Sequence, residues 1–162
     1  MYPQVQLWLA RRLEEELPRR KIVVEDTHKT PLRKVIPRLG LTAQYPQYAL
    51  WDIRVDVTGF IIGPDISHLA LVECKKNAAT LKDLGQLLGY SLVAKPLLSL
   101  LVSPAGPSRV LSDLLVAQGR YDILRYADNR SVAIIEWDYR RGCPLAEKTI
   151  PSGALAIRLR SQ

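Results

Sequence analysis

The spacing of apolar residues along the chain predicts its first elements. In residues 3–17 the apolar positions recur at helical intervals, and Pro18 ends this pattern, so we expect a helix that buries one face. The next stretch, Lys21–Glu25, is typical of a short strand. Residues 27–48 are interrupted by prolines and are expected to form a connection with one short helix near residues 32–39.

A β-hairpin is predicted in the middle of the chain. Residues 49–62 are rich in Val, Ile, Trp and Phe, and residues 66–74 are apolar again. Gly63-Pro64-Asp65 between them has the composition of a turn. We therefore expect two antiparallel strands that pair symmetrically about this turn.

Helices and strands alternate behind the hairpin. Thr80, with Asp83 three residues later, forms a capping-box pattern that predicts a helix over residues 80–94. The further predicted elements are a strand over 96–103, a helix over 108–118, strands over 122–126 and 132–137, and an edge strand over 150–160. The strand, helix and strand of residues 66–103 require a parallel pairing, so we expect an α/β fold with a mixed sheet flanked by helices.

Length and composition are those of one globular domain, residues 1–162, because 48% of the residues are apolar and 24% are charged. Two cysteines and two histidines without metal-ligand spacing argue against a zinc site and a disulfide framework, which fits a reducing cytoplasm. The histidines are expected to be ordinary surface or turn residues. No signal-peptide pattern is present, and the longest uncharged stretch, residues 96–108, is shorter than the roughly 20 residues that cross a bilayer, so no membrane partner is expected.

The chain carries a formal net charge of +7, which suggests an anionic partner and, as the first hypothesis, nucleic acid. The surplus lies in residues 1–48 and 104–162, whereas residues 49–103 have equal numbers of basic and acidic side chains. Basic flanks could thus hold a phosphate backbone around a neutral centre, with an affinity that falls steeply with salt.

Two carboxylates of the predicted hairpin should face each other. Symmetric pairing about the turn Gly63–Ile66 puts Asp56 opposite Glu73. Directly opposed side chains lie about 5 Å apart, where repulsion between carboxylates is costly unless a cation lies between them. Mg²⁺ (or Mn²⁺) accepts one or two carboxylates completed by water and phosphate oxygens, so Asp56 and Glu73 are candidate metal ligands.

Cys74 and Lys75 follow Glu73 and point to opposite faces of the strand. Lys75 shares the face of Glu73, whereas the Cys74 thiol is directed into packing. Cys74 could therefore offer a metal only its backbone carbonyl, since a thiol is too soft a donor for Mg²⁺. Two carboxylates for a metal, a water whose pKa the metal lowers and a lysine that stabilises phosphate charge are the parts needed for phosphodiester hydrolysis.

Other interpretations of these acidic residues are open. Asp56, Glu73 and Lys75 could be a solvated cluster on an exposed sheet face, although the apolar character of both strands argues against full exposure. Asp52 shares the face of Asp56 but lies about 13 Å away along the strand, and Asp65 lies in the turn. Asp56 and Glu73 are therefore the better candidate ligands.

Asp56, sixteen intervening residues and then Glu73-Cys74-Lys75 at the end of an apolar strand resemble the PD-(D/E)XK nuclease superfamily. The helix, three strands, helix and strand predicted over residues 3–103 are similar to its restriction-endonuclease-like αβββαβ core, with the remaining elements as a C-terminal αββ extension. Gln86-Leu87-Leu88-Gly89-Tyr90, on the helix that follows, resembles the Q-x-x-x-Y motif of the RecB-like branch.

The resemblance implies a divalent-metal-dependent nuclease that acts on DNA. It makes Asp56 and Glu73 the metal ligands, Lys75 the catalytic lysine, and Gln86 and Tyr90 supporting residues near the substrate. Archaeal Holliday junction resolvases share this core, so a structure-specific substrate and a role in DNA repair or recombination are also implied. Some branches form homodimers, so the resemblance also allows a homodimer as a partner.

Many members of the superfamily also carry a glutamate on the first helix that reaches the metal. Glu16 is the candidate here, because helical geometry puts it between Leu9 and Leu13 on the inward face. The family glutamate often lies nearer the start of that helix, where this chain has Gln4 and Gln6.

The helix with the Q-x-x-x-Y pattern also permits a structural interpretation. Gln86 and Tyr90 lie on one helical stripe and could simply pack there. Gly85 and Gly89 each cost stability in a helix, so a close approach to the sheet or to a phosphate backbone is expected to compensate. The alternative function is a non-catalytic nucleic-acid-binding or assembly module that retains the nuclease fold.

Overall fold

The computed structural model describes residues 1–157 and is a mixed α/β fold, as the sequence predicts. Its helices are α1 (Tyr2–Glu16), α2 (Leu32–Arg38), α3 (Leu81–Ala94) and α4 (Arg109–Ser112). Its strands are β1 (Lys21–Asp26), β2 (Val57–Ile62), β3 (His68–Cys74), β4 (Leu98–Ser103), β5 (Arg125–Ala127), β6 (Arg130–Ser131), β7 (Ala133–Asp138) and β8 (Cys143–Pro144). No helix within the described residues combines the length and apolar character needed to cross a bilayer.

Six strands form one mixed sheet in the order β1-β2-β3-β4-β7-β8. β1, β2 and β3 pair antiparallel, whereas β3, β4 and β7 are parallel. β1, β3, β4 and β7 therefore run in the same direction. Their last residues, together with the start of β2, form what we call the carboxyl edge of the sheet.

The hairpin of β2 and β3 has the predicted register. Val57 lies opposite Val72, so the next pair toward the carboxyl edge is Asp56 and Glu73. Both faces of this hairpin are buried, and a slip of one residue would turn every apolar side chain to the opposite face. The two faces pack against different layers, so a slip would mismatch both, and this packing favours the register that places the two carboxylates together.

The sheet buries an apolar layer on each face. α1 packs on one face against Val72 and Cys74, and the other helices cover Leu71 on the opposite face. Because side chains alternate along β3, Glu73 shares the face of Leu71. The buried apolar residues of α1 and α3 include Val5, Leu9, Leu13, Leu84 and Leu87.

The strand predicted over residues 49–62 is shorter than expected and begins at Val57. The residues before it lie outside any strand, yet Trp51, Ile53 and Val55 are buried while the residues between them are exposed. The segment is extended and buries every second side chain in the core, which gives it the sequence pattern of a strand. It is not part of a strand because, within residues 1–157, it forms no ladder with a neighbouring strand.

The region behind β4 departs further from the prediction. The helix expected over residues 108–118 consists of α4 and a π-helical segment, Asp113–Ala117. The strand expected over residues 122–126 is mostly a 3₁₀ turn, Tyr121–Leu124, and the β5 strand behind it pairs with β6 in a separate two-stranded sheet. Within this extension, β7 joins β4 as a parallel neighbour and β8 follows at the sheet margin.

The edge strand predicted over residues 150–160 is not formed in the part of the chain that the structure describes. Ile150 makes a single bridge with Ile134. Pro151 follows directly and has no N–H to extend a ladder, so the pairing stops there. The end of this prediction falls on residues 158–162, outside the described residues.

Gly85 and Gly89 lie on the exposed side of α3. The close approach expected to compensate for them is not made by residues 1–157, since a Cβ at either position would meet no atom within 4 Å. We expect Gly85→Ala and Gly89→Ala each to raise the free energy of unfolding by about 1 kcal/mol, because alanine is the better helix former. Urea denaturation measures this change.

The matched control for these variants is Gly106→Ala. Gly106 has a φ of +64°, and a Cβ there would lie 3.1 Å from Glu136 Oε2. This substitution should lower the free energy of unfolding. An unchanged or lowered stability in the two α3 variants would contradict the expectation.

Candidate active site

Asp56 and Glu73, which we call the carboxylate pair, lie together at the carboxyl edge. Asp56 immediately precedes β2, and Glu73 is the penultimate residue of β3. The Asp56 Oδ2 atom accepts a hydrogen bond of 2.7 Å from the backbone N–H of Cys74. The Asp56 carbonyl accepts another, of 2.9 Å, from the N–H of Thr27. Asp56 is thus held between the ends of β1 and β3, and its predicted placement is confirmed.

Glu73 is a buried carboxylate with 8% of its surface exposed. Burial raises its pKa, a hydrogen bond from Lys75 opposes the shift, and the carboxylates of Asp56 and Asp83 raise the pKa further. The negative charge on Glu73 is therefore costly unless a proton or a further cation lies beside it. Such perturbed carboxylates are common at functional sites.

The raised pKa of Glu73 makes stability depend on pH. The folded protein binds this proton more tightly than the unfolded chain, for which the ordinary pKa is 4.5, so stability is lost as the pH rises through the folded-state pKa. We expect Glu73→Gln to be more stable than the wild type at about pH 7 without divalent ions, and the difference to shrink toward about pH 4. Urea denaturation across this range measures the difference; a constant difference would contradict the assignment.

Lys75 lies between two carboxylates. Its Nζ atom is 2.9 Å from Glu73 Oε1 and 3.1 Å from Oδ1 of Asp83 in the first turn of α3. Burial lowers the pKa of Lys75, but the hydrogen bonds to Glu73 and Asp83 outweigh burial and the net pKa is raised. The sequence predicts Asp83 only as a capping residue, because its contact with Lys75 depends on how α3 docks beside the end of β3.

The Cys74 thiol points away from the carboxylate pair, as predicted. It packs among the α1 residues and only 6% of Cys74 is exposed. Burial raises the pKa of the thiol, and the charges of Asp56 and Glu73 raise it further. A neutral thiol is a poor ligand for Mg²⁺, so the backbone carbonyl is the one hard donor that Cys74 offers.

Three residues that the sequence does not predict as site residues also lie near Asp56: Tyr2, Asp26 and His28. The His28 Nδ1 atom is hydrogen-bonded to Asp26 Oδ1, and the rings of Tyr2 and His28 are 5.4 Å apart. Burial and the nearby Asp56 raise the pKa of Tyr2 to about 12. The D-x-H spacing at the end of β1 is a weak signal for the contact of Asp26 with His28. Tyr2 is brought to Asp56 only by the packing of α1.

Glu16 is not brought to this group. It ends α1, whereas Tyr2 at the start of α1 is the residue near Asp56, and the length of the helix separates the two by about 20 Å. The Glu16 side chain is exposed and pairs with Arg12 at 3.0 Å. The inward orientation expected for Glu16 is wrong, because the next residue, Leu17, fills the buried position at this end of the helix.

Gln86 and Tyr90 lie farther along α3 than Asp83. Gln86 is exposed, whereas Tyr90 is half-buried and packs against the core on the α3 face of the sheet. Tyr90 is about 10 Å beyond Asp83 along the helix axis. Within residues 1–157 neither side chain is hydrogen-bonded to the carboxylate pair. The supporting role expected for Gln86 and Tyr90 therefore has no direct contact with Asp56 or Glu73 behind it in the described structure.

The carboxylate pair can provide part of a divalent metal site. Its oxygens are the hard donors that Mg²⁺ and Mn²⁺ prefer. In the described part of the chain, no three His, Cys, Asp or Glu side chains are grouped closely enough to hold a metal by themselves. A cation held here would complete its shell with the Cys74 carbonyl, water and phosphate oxygens, a common arrangement for Mg²⁺ at phosphate-processing sites.

Exposed basic side chains, which we call the basic rim, lie near the ends of elements that meet at the carboxyl edge. They follow β1, β3 and β7 or begin α3 and α4, and are Lys29, Lys76, Arg140, Lys82 and Arg109. The ion pairs formed among residues 1–157 include none with Lys29, Lys76 or Lys82. The fold therefore brings Lys29, Arg109 and Arg140 of the basic flanks to the same edge as Lys76 and Lys82 of the central segment.

The carboxyl edge combines groups that can bind cations with groups that can bind phosphate. Two hard carboxylates, an ammonium at 2.9 Å from one of them and a rim of exposed cations can bind a divalent ion and a phosphodiester together. The sequence matches no family model, and no characterised protein or solved structure matches it either.

Proposed function

We propose that the protein is a divalent-metal-dependent nuclease that hydrolyses phosphodiester bonds of DNA with Mg²⁺ or Mn²⁺. The observation that carries the proposal is the meeting of Asp56, Glu73 and Lys75 at one sheet edge, with Lys75 Nζ 2.9 Å from Glu73 Oε1. These are the residues that resemble the PD-(D/E)XK superfamily. The order of α1, β1, β2, β3, α3 and β4 along the chain agrees with the core that the resemblance implies, which supports the proposal.

Each residue of this set has one task in the proposed reaction. Asp56 and Glu73 would hold a divalent ion, and the hydrogen bond from the Cys74 N–H orients Asp56 for this task. The ion would supply a water of lowered pKa and would polarise the phosphate. Lys75 places a positive charge where negative charge grows on the phosphate in the transition state.

Incubation with labelled DNA tests the proposal. Linear duplex, single-stranded, flapped and four-way-junction substrates are compared with and without Mg²⁺ or Mn²⁺. We expect cleavage only with metal, and preference for the flap or the junction would support a role in repair or recombination. Binding of DNA without metal-dependent cleavage of any substrate would refute the proposed nuclease activity. A calorimetric titration with Mn²⁺ tests the metal site separately.

The basic rim is expected to bind the phosphate backbone. Lys76→Gln and Lys82→Gln should each weaken DNA binding and reduce the slope of log affinity against log salt by about 1, because each removes one phosphate contact. Fluorescence anisotropy of labelled DNA at several salt concentrations measures both quantities. Lys21→Gln is the matched control, since Lys21 is exposed at the opposite end of β1. An equal effect of the control would contradict a specific role for the rim.

A non-catalytic nucleic-acid-binding or assembly module is the second candidate function. One observation favours it: Glu16 pairs with Arg12 away from the carboxylate pair, so α1 does not supply this acidic ligand. A module of this kind would bind DNA through the basic rim, with an affinity that falls with salt, and would need no metal. The cleavage assay and the Mn²⁺ titration together separate the two functions.

A further inference from the structure

The two carboxylate oxygens of Asp83 contact different residues. Its Oδ2 atom accepts hydrogen bonds from the Thr80 backbone N–H at 2.9 Å and from the Thr80 hydroxyl at 2.7 Å. Its Oδ1 atom lies 3.1 Å from Lys75 Nζ. The Thr80 backbone N–H therefore holds one oxygen of the carboxylate, while the other oxygen faces the lysine.

The contact between Asp83 and Lys75 is partly shielded from water. The side chains of Lys75 and Asp83 are 26% and 19% exposed, so the pair is less screened than a surface ion pair. Asp83 also stands in the first turn of α3, where the helix dipole favours a negative charge. The carboxylate thus belongs to a different element from β3, which Lys75 directly follows.

A lysine ammonium on a flexible four-carbon stem needs an anchor. Glu73 contacts Lys75 as well, but in the proposed reaction Glu73 must also bind the cation. We propose that Asp83 is a positioning residue, which keeps Lys75 at the carboxyl edge while Glu73 turns to the metal. This inference rests on the proposed function and adds a residue that the D…E-x-K pattern does not contain.

Asp83→Asn tests the role of the charge, because asparagine can still accept the Thr80 N–H. With Mg²⁺ at saturation we expect the turnover of DNA to fall by about 10-fold or more. A loss of this size is usual when a residue that orients a catalytic side chain is removed. The KM for DNA and the affinity for Mn²⁺ should change by less than about twofold, since Asp83 touches neither ligand in the proposed site. In a Lys75→Met background, Asp83→Asn should have no further effect on turnover.

Thr80→Ala separates positioning from helix capping. It removes the hydroxyl of the capping box but keeps the backbone N–H that donates to Asp83 Oδ2 at 2.9 Å, so the other oxygen should still face Lys75. We therefore expect a lower melting temperature and a turnover within about twofold of the wild type. A turnover in Thr80→Ala as low as in Asp83→Asn would assign the effect to the helix cap and overturn the inference. Wild-type turnover in Asp83→Asn would overturn it as well.

A measurement without catalysis keeps this inference distinct from the proposed function. NMR order parameters of the Lys75 side-chain nitrogen report how firmly the ammonium is held. We expect the order parameter to fall in Asp83→Asn and to stay high in Thr80→Ala. If the wild type cleaves no DNA but the order parameter falls, the nuclease proposal fails and the anchoring of Lys75 stands. An unchanged order parameter in Asp83→Asn refutes the anchoring whatever the activity.

Discussion

Lys75→Met and Asp56→Asn are each expected to lower the rate of DNA cleavage by about 100-fold or more, the usual loss when one transition-state stabiliser is removed. Lys75→Met removes the ammonium that lies 2.9 Å from Glu73 Oε1. Asp56→Asn removes a negative charge from the cation ligands but keeps an oxygen that can accept the Cys74 N–H, so the hairpin should stay in register. Single-turnover cleavage at the Mg²⁺ concentration that saturates the wild type measures both losses.

The matched control for these variants is Asp52→Asn. The Asp52 side chain is 71% exposed and pairs with Arg33 at 2.9 Å, so cleavage should stay at the wild-type rate. Mn²⁺ binding should be lost in Asp56→Asn and kept in Lys75→Met, while circular dichroism confirms that both variants are folded. Cleavage at the wild-type rate in Asp56→Asn or Lys75→Met would remove that residue from the mechanism.

Gly63→Ala is expected to lower the free energy of unfolding by about 1–3 kcal/mol, the range for overpacked sites. A Cβ at Gly63 would lie 1.6 Å from Arg20 Nη1 and 2.5 Å from the Ile66 carbonyl oxygen. The arginine is flexible and can move, but the carbonyl belongs to the backbone of the same turn, so the turn must change its shape. Urea denaturation measures the loss.

This turn also sets the pairing of β2 with β3, so Gly63→Ala should weaken Mn²⁺ binding at the far end of the hairpin. Asp65→Ala is the control in the same turn, because Asp65 is exposed and its loss should change stability by less than about 0.5 kcal/mol. Stability and Mn²⁺ affinity at wild-type levels in Gly63→Ala would show that the turn does not fix the carboxylate pair.

The centre of the candidate site could be predicted because its geometry is local. A Gly-Pro turn and two apolar strands determine which residues oppose each other, and alternation along β3 determines that Lys75 joins Glu73 while Cys74 faces α1. Neither inference requires knowledge of how distant elements pack. The two faces of the hairpin pack against different layers, so a slip of one residue would exchange the side chains that each layer contacts.

The surroundings of the site could not be predicted, because they depend on how helices dock. The contact of Asp83 with Lys75 requires α3 to begin beside the end of β3, and Tyr2 reaches Asp56 only because α1 packs on the hairpin. Glu16 shows the converse: its helical phase matches the buried stripe, but it stands where the helix ends and solvent begins. Helical periodicity thus predicts on which side of a helix a residue lies, but not which other elements lie beside it at that position along the helix.

Asp56, Glu73, Lys75 and Asp83 all belong to one continuous segment, residues 56–83. Contacts within this segment close a shorter loop than the pairing of β4 with β7, so their loop-closure entropy is smaller and we expect them to form first. The candidate site is therefore expected to assemble early in folding, before the C-terminal strands have docked. A cation bound at that stage would add its binding energy to the nascent hairpin, so the supply of metal would influence how much of the chain reaches the folded state.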